Sequence, residues 1–238
     1  TDTAIIGASG RFSLNNYKVL FTTPELLKMI KDTLILAAGS AAIAMLLGTF
    51  GAIGAFYSKK TPRTVVTTFN QIPVVNADVV TGFSICVFLI VVLGISKESY
   101  VPLVAGHVVL STPFVYLSVM PRLKQMDHSL YEAALDLGAG PGQALFKVVI
   151  PLAKSQLSAL LILAFTWGWN DYFGPLVYIS DINKQVLSVG IASFKGQYSS
   201  NFAVQMAGAT LALIPIVIVY LCAQKNFIEG IALSGVKG

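Results

Sequence analysis

The chain has 238 residues, of which 55% are hydrophobic and only 11% charged, and its mean hydropathy is +0.74; soluble domains carry about 25% charged residues, so a soluble domain is excluded. The formal net charge of +5 is dispersed over connections and a tail, with no basic stripe interleaved with aromatics, which excludes a nucleic-acid role. Uncharged runs long enough for a helix to cross a bilayer recur, while ten-residue alternation is absent, so the expected class is an all-α polytopic membrane helix bundle and not a barrel.

Residues 1–32 are expected to form an external N-terminal segment, and residues 33–238 the transmembrane domain. The chain begins at Thr1 rather than Met, and nothing in residues 1–28 has the pattern of a signal peptide; a helix preceding this segment is expected to be missing. Five spans follow: Thr33 to Tyr57, Val79 to Ser96, Ser99 to Pro121, Ser155 to Asn170 with an extension through Tyr172 to Ser180, and Gly196 to Gln224. Cys86 and Cys222 fall inside spans and are expected to be small buried hydrophobes. Asp78 stands near a span end and is expected as a helix N-cap. His107 lies within a span and is expected as a packed, hydrogen-bonded residue.

Lys and Arg concentrate in cytoplasmic connections. Lys59, Lys60 and Arg63 follow the first span, Arg122, Lys124, Lys147 and Lys154 follow the third, and Lys225 and Lys237 lie in the tail. Those three segments are expected in the cytoplasm. The second connection, with Lys97 beside Glu98, and the fourth, with Lys184 and Lys195 beside Asp181, are expected outside. The N-terminal residues Arg11, Lys18, Lys28 and Lys31 fit this pattern less well and are placed outside because the crossings alternate.

The connection 121–154 has the most distinctive chemistry. Ser129-Leu-Tyr-Glu132 has capping-box spacing and predicts a helix beginning after Ser129. Ala133 and Ala134 favour helix and leave a surface that another can approach closely, and Gly138 suits a left-handed helix stop. Gly140-Pro-Gly142 prevents continuation, and a second helix is expected from Gln143 to Pro151. Two short helices at an angle would make a rigid knob; an amphipathic element lying on lipid headgroups, with Phe146 and Lys147 at the interface, is the other reading the spacing allows.

The residues for chemistry are sparse. No Gly-x4-Gly-Lys-Ser/Thr cradle exists, the nearest glycine-rich stretch being Gly7-Ala-Ser-Gly-Arg-Phe-Ser13. The two histidines, His107 and His128, have no cysteine or carboxylate at metal-ligand spacing. No catalytic, cofactor or metal site is expected, and any ATP hydrolysis belongs to another subunit.

Glu132-Ala133-Ala134, then Gly138, then Val148-Val149-Ile150-Pro151 resemble the Glu-Ala-Ala loop of permease subunits of bacterial, binding-protein-dependent ABC importers. In that family Ile-x-Leu-Pro stands where this chain has Val148 and Ile150. The resemblance extends over nearly the whole chain and implies five visible helices of a six-helix permease core with its first helix missing. It implies that Glu132, Ala133, Ala134, Gly138, Gly140 and Pro151 belong to coupling helices docked on an ATPase. The implied partners are a second permease subunit, two ATP-binding subunits or domains that hold ATP and Mg, an extracytoplasmic solute-binding protein and membrane lipid. The implied location is the bacterial inner membrane.

Substrate signals diverge. Met120 to Gly140 is most similar to polyamine-type permeases, whereas "FTWGWNDYFGPLVYIS" and the C-terminal stretch resemble the maltose and glycerol-phosphate type. A polycation would require several carboxylates or an aromatic cage, and the spans offer essentially Asp171. A polyhydroxylated solute requires amides, hydroxyls and aromatic faces, for which Trp167, Trp169, Asn170 and Tyr172 are suited, so a sugar-like solute is favoured. Trp167, Asn170, Asp171 and Tyr172 are the translocation-path candidates, beside a helix interruption expected at Gly174-Pro175. An aromatic belt made of Trp167, Trp169, Tyr172 and Tyr178, or capping by Asn170 and Asp171, is the structural alternative. An ion-coupled secondary transporter or channel subunit is the alternative of another class.

Overall fold

A computed structural model describes residues 15–96, 99–193 and 202–235. Arg11, the Gly7–Ser13 stretch, Lys97, Glu98, Lys195, Gly196 and Lys237 lie outside them. The described residues form twelve α-helices in chain order: α1 Asn15–Thr22, α2 Pro24–Tyr57, α3 Lys60–Val75, α4 Asp78–Val87, α5 Val101–Gln125, α6 His128–Asp136, α7 Pro141–Ala144, α8 Ile150–Leu152, α9 Lys154–Asn170, α10 Phe173–Tyr178, α11 Leu187–Ser193 and α12 Phe202–Gly235. Wider π turns continue α4 through Phe88–Val92 and join α7 to α8 through Leu145–Val149.

The first span starts earlier than hydropathy indicates. α2 begins at Pro24, and Lys28, Lys31 and Asp32 ride on its first turns as part of one 34-residue helix. At 1.5 Å per residue it is about 51 Å long, more than the ~30 Å hydrocarbon core requires. Pro24 occupies the first helical position, where a missing amide costs nothing. Charged residues in this turn end an apolar run but not a helix.

α2 is the central post. One face carries Ala37, Ala41, Ala44, Gly48, Ala52 and Ala55, all buried, while Leu34, Ile35, Leu46, Leu47 and Phe50 point outward. Small residues at three- and four-residue spacing let helices approach closely in a membrane, where dispersion rather than water exclusion holds them. α5 takes the closest position: a Cβ added at Gly48 would fall 2.5 Å from Val115 Cβ. α9 packs on the same post, with Gly168 against Ala37. α12 closes the other side of α9, and the indole of Trp169 donates to Ala212 O at 3.0 Å.

Three helices, α2, α5 and Val204–Gln224 of α12, are individually long and apolar enough to cross a membrane. The second and fourth spans are each one leg of a bent pair: α3 meets α4 at 108°, and the α7–α8 segment meets α9 at 73°. The first connection is therefore not the loop its lysines suggest. Residues 60–75 form α3 despite nine β-branched side chains, because tertiary packing overrides a weak local preference. Thr67 shares a 2.8 Å hydrogen bond with Tyr116 of α5, and the Arg63 guanidinium lies 5.8 Å from the centre of the Phe56 ring.

Packing divides along the bundle. At one end Ala52, Ile53 and Ala55 of α2 meet Val115, Tyr116, Val119, Met120 and Leu123 of α5, together with Val149 from the 126–153 connection. At the other, Leu36, Cys86, Leu103, Tyr178, Ile179, Val186 and Val189 form a second cluster. Polar ties reinforce that second end: Tyr100 donates to Asp32 at 2.9 Å and Lys28 to the Asn183 carbonyl at 2.8 Å. Cys86 is buried as expected, but Cys222 is exposed on the outward face of α12.

Candidate functional site

Two features stand apart from the packed bundle, a knob at one end and a cavity toward the other. The knob is built by α6, α7 and α8. Its first helix begins at His128, and the cap is Asp127, whose carboxylate accepts from Ser129 N at 2.9 Å. The capping box expected from Ser129 and Glu132 is thus displaced, since a carboxylate two residues earlier satisfies the free amide and leaves Glu132 exposed. Gly138 has φ +87°, a conformation that costs other residues about 1–2 kcal/mol. Gly138 N bonds Leu135 O at 2.9 Å and Ala139 N bonds Ala134 O at 3.0 Å, closing the last turn of α6.

The chain restarts as a helix at Pro141, two residues before the expected Gln143. Proline suits a first helical position, and Gln143 Oε1 accepts from Gly140 N at 3.3 Å. Ala144 and Val149 are buried under the knob, and the Tyr131 ring packs against Tyr57, tilted by 37° with ring centres 5.1 Å apart. The base is fixed to α2 and α5, while the outer surface presents Glu132, Ala133, Gly138, Gly140 and Pro151 with exposed Leu130, Leu135, Leu137 and Phe146. Leu137 is 90% exposed; four large apolar side chains on so short a segment form a contact surface that invites a covering.

The cavity has a volume of 560 Å³ and is walled by α4, α5, α9 and the start of α10. Trp167, Asn170, Asp171 and Tyr172 all line it, joined by Asp78, His107, Ser111, Phe114 and Thr166. What gathers them is the end of α9. The helix stops at Asn170, Asp171 takes an extended conformation, and α10 begins at Phe173. The interruption therefore precedes Gly174-Pro175 instead of falling on it: Pro175 sits in the first turn of α10, where its lack of an amide is harmless, and Asp171 Oδ1 accepts from Gly174 N at 3.1 Å. A Cβ at residue 174 would collide with that carboxylate, so glycine leaves the space Asp171 needs.

The second oxygen of Asp171 lies 3.0 Å from His107 Nε2. This is ion-pair distance, but the nitrogen is not aligned for a hydrogen bond and remains buried without one. His107 Nδ1 faces the Leu103 carbonyl at 3.0 Å, which fixes the ring on α5. Ser188 donates to the Asp171 carbonyl at 2.6 Å, and Asn170 donates back to Thr166 O at 2.9 Å. Asp171 thus joins α5, α9, α10 and α11 at one point.

Asp78, read from sequence as a cap, is not one: Ala77 holds the N-cap position and Asp78 faces the cavity from the first helical turn. The bend between α3 and α4 brings it there, which no local pattern reports. Trp169 belongs to the core at 3% exposure and Tyr178 is buried with its hydroxyl donating to Gly82 O, so neither forms part of a surface belt. Trp167 is 47% exposed and packs edge-on against Phe114 at 5.1 Å. A smaller cavity of 130 Å³ adjoins the first and shares Asp78, His107 and Asp171. Among the described residues no cluster of metal-ligating side chains occurs.

Comparison with known proteins covers nearly the whole chain. A sequence profile of binding-protein-dependent transport system inner membrane components matches residues 25–232. The chain is 33% identical over 165 residues, 69% of its length, to the melibiose/raffinose/stachyose import permease protein MelC of Bacillus subtilis (strain 168). It spans about half, 54%, of that relative. It is 27% identical over 228 residues to the Probable starch degradation products transport system permease protein AmyC of Thermoanaerobacterium thermosulfurigenes, covering 94% of this chain and 81% of that one. Its fold is similar to a chain in the crystal structure of a bacterial alginate ABC transporter in complex with alginate pentasaccharide-bound periplasmic protein, with TM-score 0.75 at 15% identity, covering 89% and 81% of the two chains.

Proposed function

The chain belongs to the family of binding-protein-dependent transport system inner membrane components, and from that membership we propose that it is the permease subunit of an ATP-driven importer for a small, sugar-like solute. It forms half of a translocation path, and its knob, residues 132–142, transmits nucleotide-driven motion from an ATPase. The observation that carries the reading is a rigid two-helix projection whose base is buried against α2 and α5 while its outer face exposes Leu130, Leu135 and Leu137. Motion imposed on such a knob reaches both central helices without a flexible link.

The partners in this reading are a second permease subunit, two ATP-binding subunits or domains that bind ATP and Mg, an extracytoplasmic solute-binding protein and the surrounding lipid. The knob and the C-terminus lie on the cytoplasmic side, in keeping with the lysines and arginines that flank them. The cavity is the path's wall in this chain. Sugar-like solute is favoured by relatives named for melibiose, raffinose, stachyose and starch degradation products, and by the exposed Trp167 face beside Asn170, Ser111 and Thr166.

Copurification from solubilised membranes, followed by uptake in proteoliposomes, tests the reading. An ATPase subunit should copurify, and melibiose or maltose uptake should require ATP and the binding protein. Uptake driven by a proton or sodium gradient without ATP would overturn it in favour of an ion-coupled carrier, the second reading that the intramembrane His107–Asp171 pair allows.

A further inference from the structure

We propose that the cavity is a charge filter that admits neutral saccharides and rejects anionic ones, such as uronates and sugar phosphates. The inference rests on the cavity being the solute path. Asp78 reaches it from α4 and Asp171 from the end of α9, so two carboxylates face one chamber. Among the described residues no lysine or arginine lines either this cavity or the smaller one that adjoins it. Among the described residues the single nitrogen base in the wall, His107, is turned toward Asp171 at 3.0 Å, and Asp78 has no ion pair.

An anion meeting this wall faces like charge with no compensating group from the described residues of this chain, and in surroundings of low dielectric that opposition is far stronger than in water. A neutral saccharide meets acceptors for its hydroxyls in Asp78 and Asp171, an amide in Asn170, and an apolar ring face in Trp167. The volume of 560 Å³ falls within the usual range for small-molecule sites, about 300–1,000 Å³, and suits one or two sugar rings. A linear polyamine would find only two carboxylates, one of them already engaged by His107, and the remaining wall is chiefly aromatic and aliphatic. Selection at this wall acts in addition to selection by a binding protein, and by different chemistry, since the filter reads charge alone.

The test uses the assembled transporter in detergent, without binding protein, and titrates melibiose, digalacturonate and putrescine by calorimetry. Melibiose should bind at least about tenfold more tightly than digalacturonate, a difference of about 1.4 kcal/mol. In Asp78→Asn and Asp171→Asn complexes the digalacturonate affinity should rise toward that of melibiose, and Asp78→Lys should raise it further. Equal binding of melibiose and digalacturonate by the unaltered complex would overturn the filter while leaving the path intact. Preference for putrescine would overturn it in favour of a cation site. Binding of none of the three, together with full ATP-driven melibiose uptake by Trp167→Ala, would overturn the path itself and the filter with it. A uniform loss of binding in every variant is separated from misfolding by thermal unfolding of the same samples, and with folding intact it overturns the charge reading.

Discussion

Asp171 and Gly138 show how much a single residue can carry. Asp171 uses one carboxylate oxygen for Gly174 N and brings the other to 3.0 Å from His107, so it both caps α10 and supplies charge to the cavity. Asparagine at 171 keeps an oxygen for the cap and loses the charge; alanine loses both. Asp171→Asn is therefore expected to assemble normally with altered uptake, whereas Asp171→Ala should lose about 1 kcal/mol or more of local stability; melting of the purified complex and uptake in vesicles check the pair. Gly138→Val forces a β-branched residue into φ +87° at a cost of roughly 1–2 kcal/mol. Solute-stimulated ATP hydrolysis should fall while membrane insertion is retained, and unchanged stimulation would show that the turn's geometry is not used.

At the scale of elements, the knob depends on where its first helix starts. Asp127, not Ser129, accepts the free amide. Asp127→Ala should weaken α6 by about 1 kcal/mol, seen as roughly fivefold faster amide exchange in residues 129–132, and Ser129→Ala should leave exchange nearly unaltered. The reverse order would restore the capping box that the Ser129–Glu132 spacing suggests. α3 gives the complementary lesson. Its threonines and valines argue against helix, and Lys60 and Arg63 mark a cytoplasmic connection, yet it packs on α5 and turns 108° into α4. That bend is what carries Asp78 to the cavity.

For the whole molecule, the outward faces matter most. α12 and α3 expose Leu213, Val217, Tyr220, Leu221, Phe69 and Val75, surfaces that only lipid or another membrane subunit can cover. In the importer reading proposed above, partner subunits complete both the knob's docking and the cavity wall. Native mass measurement after gentle extraction should report two permease chains with two ATP-binding domains, and a transport-competent single chain without ATPase would contradict the assembly.

The apolar content of the chain determined the class, and helical runs of membrane-spanning length determined the approximate places of five crossings, because burying a backbone in hydrocarbon leaves few options beyond helix. The Glu132–Pro151 pattern, with its glycines and prolines, determined the knob, since helix stops and starts are local chemistry. Tertiary structure alone decided the cavity. Asp78, His107 and Asp171 are separated by 29 and 64 positions and share no period or motif; they meet because α3 and α4 bend, α5 packs on α2, and α9 breaks one turn before the proline that marks it. Each of those events depends on contacts between distant segments, and such contacts leave no local signature for a sequence to show.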